Sequence, residues 1–130
     1  MNDSVKDLQE KIVEFRDVRN WKQFHNPKDL AISISLEAAE LLEVFQWSGS
    51  DVSADKKINK VREELADVLI YSFLMANDLG LDVAEIVKEK LAENNKKYPV
   101  EKAYGSSKKY TELWGVKMII YDGYKNDFLH

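Results

Sequence analysis

Cysteine is absent from the 130-residue chain, so neither a disulfide framework nor a thiolate zinc site is available, and the composition suits the cytosol. Histidine is nearly as scarce. Only His25 and His130 occur, and neither follows a glutamate at the Glu-x-x-His spacing of di-iron carboxylate bundles. Basic charge is also in short supply: 19 Lys and Arg against 23 Asp and Glu leave a net charge of −4. With no basic patch, nucleic acid is a poor partner, although a nucleotide can bind where metal ions offset its phosphates. No stretch is apolar enough to cross a bilayer, and the N-terminal MNDSVKDLQEK lacks the apolar segment of a signal peptide. The expectation is a cytoplasmic protein with no membrane partner. Internal repeats and low-complexity tracts are missing as well.

What the chain does have is helical periodicity. A hydrophobic fraction of 45% argues against disorder of the whole chain, and the length suits one domain with a real core. Ser4 to Asp7 has the form of a capping box and opens a helix to about Arg19, with Val5, Leu8, Ile12 and Phe15 as its stripe. Asn26-Pro27 starts a second helix running to about Gln46. After a loop at Ser48 to Asp51, a third helix should run from about Ala54 to Leu79 and stop at Gly80. Asp82 to Glu85 opens a fourth, mostly polar helix that ends before Pro99. Beyond it the chain turns Gly-, Ser- and Tyr-rich, then apolar and β-branched from Val116 to Tyr121, which reads as a short strand or an arm packing on a neighbour. The expected fold is all-α: a four-helix bundle over residues 1–113 with an irregular C-terminal tail over residues 114–130.

Two pairs of acids interrupt the second and third helices. Glu37 and Glu40, then Glu64 and Asp67, are each spaced i, i+3, so each pair shares a helix face. A single helical Glu is ordinarily solvated. Here the first pair is flanked by Ile34, Leu36, Ala38, Ala39, Leu41 and Leu42, and the second by Val61, Leu65, Ala66, Val68, Leu69 and Ile70. Four acids in a helix–helix seam are costly unless a cation joins them. An all-oxygen donor set favours Mg²⁺, or Mn²⁺, over zinc, copper or iron. Glu43 and Glu63 extend the two pairs, and their roles as ligands, supporting groups or solvated charges stay open.

The acids are part of a longer ordered set. With Phe45-Gln46-Trp47, the run Glu63 to Tyr71, Asn94, Tyr98-Pro99, Asn20 to His25 and Lys109 to Leu113, they resemble the all-α nucleotide pyrophosphohydrolases of the MazG type, in the dCTP pyrophosphatase branch. The resemblance covers roughly residues 5 to 113 and leaves the tail from Trp114 unmatched. It implies Mg²⁺-dependent hydrolysis of a nucleoside triphosphate between the α and β phosphates, releasing a monophosphate and pyrophosphate. It also implies house-cleaning of the nucleotide pool, and dimers or tetramers whose sites draw on more than one subunit.

Such a reaction needs charge neutralisation, an oriented water and a held leaving group. Glu37, Glu40, Glu64 and Asp67 are the candidate metal ligands, with Glu37 the candidate base. Lys90, Asn94 and Lys97 share one face of the fourth helix, an arrangement that alone reads as a solvated face. The resemblance puts Lys90 and Asn94 at phosphate-binding positions, with Lys97 and Tyr98 as weaker candidates. Tyr71, one turn past Asp67, reads as a phosphate or sugar ligand or as a core tyrosine. The resemblance tips His25 and Trp47 towards the base pocket and leaves Trp21 even; Ile12 can line the same pocket. The second and third helices are apolar nearly all round, more than a short first and a thin fourth helix can cover, which points to a homodimer at least and preferably a tetramer. The rival reading is a catalytically idle helical module that binds a nucleotide or a partner. Another keeps the enzyme but changes the substrate to dUTP or an oxidised or methylated nucleotide.

Overall fold

In the computed structural model, which describes residues 4–114, every regular element is helical. The first helix, α1, spans Val5–Asp17. Ser4 caps it: its Oγ accepts from the Asp7 N–H at 3.2 Å and donates to the Asp7 carboxylate at 2.7 Å. Asn20, in the left-handed region at φ 56°, turns the chain into a short 3₁₀ turn at Trp21–Phe24. Asn26 then caps α2, Pro27–Glu43, accepting from the Asp29 N–H at 2.8 Å, with Pro27 in the first turn where its missing N–H costs nothing.

Helix α3 spans Ile58–Asp78. Both facing ends are shorter than the periodicity predicts. After Glu43 the N–H groups of Phe45, Gln46 and Ser48 bond carbonyls three residues back, the tight pattern that unwinds a helix end. Before Ile58, Lys57 makes the same three-residue bond to Ala54 and offers no side-chain cap. The far end of α3 is sharper. Gly80, at φ 68°, lets its own N–H reach the Asn77 carbonyl and the Leu81 N–H reach that of Ala76, a complete Schellman closure.

Helix α4, Val83–Lys97, starts where Asp82 Oδ1 accepts from the Glu85 N–H at 2.9 Å and stops ahead of Pro99. Two further helices, α5 at Val100–Ala103 and α6 at Tyr110–Trp114, stand where only irregular chain was expected. At four and five residues they are too short to imprint a 3.6-residue period. The expected strand or arm at 116–121, and the tail beyond Trp114, lie outside the described residues.

Two compact units divide within α4, between Ile86 and Val87. In the first, α2 packs along α3 and α1 lies on α3. Leu30, Leu74 and Ala76 are its buried apolar residues, a small core for helices this apolar. The stripe of α1 is half open, with Val5, Leu8 and Phe15 exposed; the residue α1 buries is Arg16, whose Nη1 pairs with Asp78 Oδ2 at 2.7 Å. Leu36 is 60% and Leu42 72% exposed on α2. In the second unit, α6 closes on the end of α4: Trp114 Nε1 donates to the Lys97 carbonyl at 2.7 Å, and Tyr110 packs edge-on against Tyr98.

Gly80 has open space where a Cβ would project, so a substitution there meets backbone strain and no steric clash. Gly80→Ala should lower stability by about 1–2 kcal/mol, the cost of an L-residue in the left-handed region, and Gly80→Asn by less. Denaturant midpoints at unchanged slope would check this, and equal losses in the two variants would contradict it.

Candidate active site

Glu37 and Glu40 stand one turn apart on α2, and Glu64 faces them from α3. One carboxylate oxygen from each lies within 4.8 Å of the other two. Glu64 is buried, Glu37 half-buried and Glu40 exposed. Like charges this close raise one another's proton affinity. Glu37 is pushed up to about 7, first by a hydrogen bond with Glu40, then by burial, then by the charges of Glu40, Asp67 and Glu64. Glu64 is relieved differently: Lys60, one turn earlier on α3, sets Nζ 3.0 Å from Glu64 Oε1 and 3.5 Å from Glu63 Oε2.

Even so, Glu37 Oε2 and Glu64 Oε2 are buried without a hydrogen-bond partner among the described residues. Two orphaned carboxylate oxygens, a proton held where a carboxylate is ordinarily charged, and an all-oxygen donor set together fit a hard divalent cation. Glu43 lines the open cleft of about 470 Å³ over the cluster, along with Glu40, Val44, Lys60 and Glu64.

Asp67, one turn beyond Glu64, stands outside the three-way group, but its charge reaches Glu37. It also lines a neighbouring cavity of about 230 Å³ with Ile12, Arg16, Trp21, His25 and Tyr71. Asp67 therefore connects the acid cluster to an aromatic pocket. His25 and Tyr71 meet edge to face there, ring centroids 6.4 Å apart, and His25 Nδ1 is buried without a partner among the described residues. Trp21 is held at the wall by Phe15, edge-on at 5.8 Å, with the Arg19 guanidinium 3.8 Å over the Phe15 ring.

Other sequence candidates stand elsewhere. Trp47 is 89% exposed in the turn after α2 and does not line this cavity. Lys90, Asn94, Lys97 and Tyr98 belong to the second unit. There Lys90 lies 3.7 Å from Glu93, while Lys97 is buried, 3.2 Å from the same glutamate and 4.8 Å from the Tyr110 ring centroid.

Two residues escaped the sequence reading. Lys60 gave no signal, being one lysine among several on a polar stretch. Arg16 did give one: it falls at i, i+4, i+8 with Leu8 and Ile12, so a charged residue occupies a position of the apolar stripe.

The MazG-like family model matches residues 32–113. The dCTP pyrophosphatase 1 of Mus musculus is 36% identical over 115 residues, which are 85% of this chain and 68% of that protein. The Homo sapiens protein of the same name gives the same identity and coverage. Among solved structures, a pyrophosphatase from Archaeoglobus fulgidus DSM 4304 superposes with a TM-score of 0.68 at 40% identity, covering 76% of this chain and 95% of the other.

The proton on Glu37 has a sign that can be measured. A carboxyl whose folded pKa is raised from 4.5 to about 7 adds stability that is fully present below the lower value and lost as pH rises through the upper one. In EDTA, Glu37→Gln should therefore melt above the wild type near pH 8, with the gap closing towards about pH 5. Parallel melting curves across that range would contradict the shared proton.

Proposed function

Because the chain belongs to the MazG-like family, in its dCTP pyrophosphatase branch, we propose that it uses Mg²⁺ to hydrolyse dCTP or a related modified nucleotide to the monophosphate and pyrophosphate. At the coarser level it is a nucleoside triphosphate pyrophosphohydrolase, an enzyme of nucleotide house-cleaning. The observation that supports the metal-dependent part of this reading is the meeting of Glu37, Glu40 and Glu64 with two buried oxygens that have no hydrogen-bond partner among the described residues.

In this reading Glu37, Glu40, Glu64 and Asp67 hold the cation, with Mn²⁺ able to substitute. A cation held by these residues would offset phosphate charge and acidify a water. Glu37 takes the proton of the attacking water, a role that suits its half-buried position among the acids. The base enters the cavity beside Asp67, against Trp21 and His25, while Tyr71 donates its hydroxyl to the sugar or a phosphate. Lys90 and Asn94 receive the leaving pyrophosphate; Lys97 and Tyr98, already engaged around Tyr110, have a lesser part in it.

Exposed Leu36 and Leu42 favour assembly of at least two copies, and a tetramer is the preferred state. In such an assembly the exposed Trp47 closes a base pocket across a subunit boundary. Residues 1–113 form the catalytic domain, residues 114–130 an appendage to it, and the protein works in the cytoplasm. No helix among the described residues is long and apolar enough to cross a membrane.

A panel of canonical and modified nucleoside triphosphates, assayed for pyrophosphate with Mg²⁺ and with EDTA, tests the reaction. Metal-dependent release with a monophosphate product is expected, and Glu40→Gln should reduce kcat/KM by about a hundredfold. Orthophosphate as the product would break the α–β assignment. Nucleotide binding without turnover would favour an idle binding module. Light scattering should show a dimer or larger, and a monomer would remove the shared pocket.

A further inference from the structure

Arg16 is 1% exposed, and its guanidinium is fixed from two sides. Nη1 donates to Asp78 Oδ2 at 2.7 Å and Nε to Asp17 Oδ1 at 3.0 Å. The third nitrogen, Nη2, is buried and has no hydrogen-bond partner among the described residues. Arg16 also lines the cavity of about 230 Å³ that holds Trp21, His25, Asp67 and Tyr71. A charged donor left unmade inside a protein is expensive, more so than a neutral one. Bonds from the other two nitrogens to carboxylates orient the group and leave Nη2 without a hydrogen-bond partner among the described residues.

We propose that Arg16 reads the substrate base: Nη2 donates to a hydrogen-bond acceptor on the edge of a pyrimidine held between Trp21 and His25. This rests on the pyrophosphohydrolase reading and adds to it a specificity residue that is not one of the metal acids. Arginine has only donors, so the base atom it meets must be an acceptor. Cytosine offers two adjacent acceptors, O2 and N3; a uracil or thymine carries a hydrogen on N3, which separates its two carbonyl acceptors, O2 and O4. His25 Nδ1, also buried and unpartnered among the described residues, provides a second polar group in the same cavity. A site with a buried donor discriminates strongly against a ligand that leaves it unpaired. Asp67, which lines this cavity and acts on Glu37, puts the base end of the ligand beside the phosphate end.

The experiment compares dCTP with a 2-deoxyribose 5-triphosphate that lacks a base. Arg16→Lys keeps a charge for Asp78 but has no third nitrogen. The double variant Arg16→Met with Asp78→Asn leaves no unpaired carboxylate at the buried position of Asp78, and the exposed Asp17 keeps its access to solvent. In each variant the ratio of kcat/KM for dCTP to that for the baseless substrate should fall about 10–100-fold. The Mg²⁺-dependent rise in melting temperature should stay that of the wild type, reporting an intact fold and acid cluster. A ratio that does not change, with both substrates weakened together or neither affected, assigns Arg16 to structure alone and overturns the proposal. Should the wild type release no pyrophosphate from any nucleotide, the reaction assigned above fails separately. The same ratio, measured as calorimetric Kd values for the two triphosphates, then decides the role of Arg16.

Discussion

Everything at the centre of this chain depends on holding like charges together. Three carboxylates from two otherwise largely apolar stretches of helix converge within one ion's reach. Left alone they repel, and the fold answers with a proton on Glu37 and an ammonium from Lys60 against Glu64. Neither measure is complete, because one oxygen of each buried acid stays without a partner among the described residues. The helices can bear this because α2 and α3 are long and are capped at their outer ends by Asn26 and the Gly80 closure. A divalent cation would relieve the repulsion and satisfy both oxygens at once, and the chemistry then follows from the charge.

A second electrostatic feature lies within the same unit. Arg16 crosses from α1 to Asp78 at the end of α3, an ion pair that ties the two helices beside the half-open apolar stripe of α1. Its burial would be a liability if the guanidinium were merely structural, since an apolar pair could fill the space at lower cost. The cavity it lines is aromatic, while the cleft over Glu40 and Glu64 is acidic, with Asp67 as the link. One half suits a planar base. The other suits a polyphosphate neutralised by cations.

The small core is the counterpart of this arrangement. Among the described residues of the first unit, Leu30, Leu74 and Ala76 are the buried apolar residues, whereas Leu36, Leu42, Leu65 and Leu69 keep much of their surface in solvent. Apolar faces left this open are of the kind that a second copy of a chain can cover. The second unit is stabilised locally, through Tyr110, Trp114 and the end of α4.

By itself the sequence determined the helical class, the helix starts at Ser4, Asn26 and Asp82, the stop at Gly80, and the acid pairs. These are local signals, carried by caps and by spacings of three and four residues that any helix converts into a shared face. Only the tertiary structure decided that Glu64 joins Glu37 and Glu40 while Asp67 turns towards the cavity, that Trp47 stands in solvent, and that Arg16 is buried beside Trp21 and His25. It also decided how far α2 and α3 run, since their facing ends unwind through three-residue bonds with no side-chain cap to mark them. Periodicity fixes a residue's direction on its own helix. What that residue meets depends on a second helix, dozens of residues away in the chain, and no local pattern contains that information.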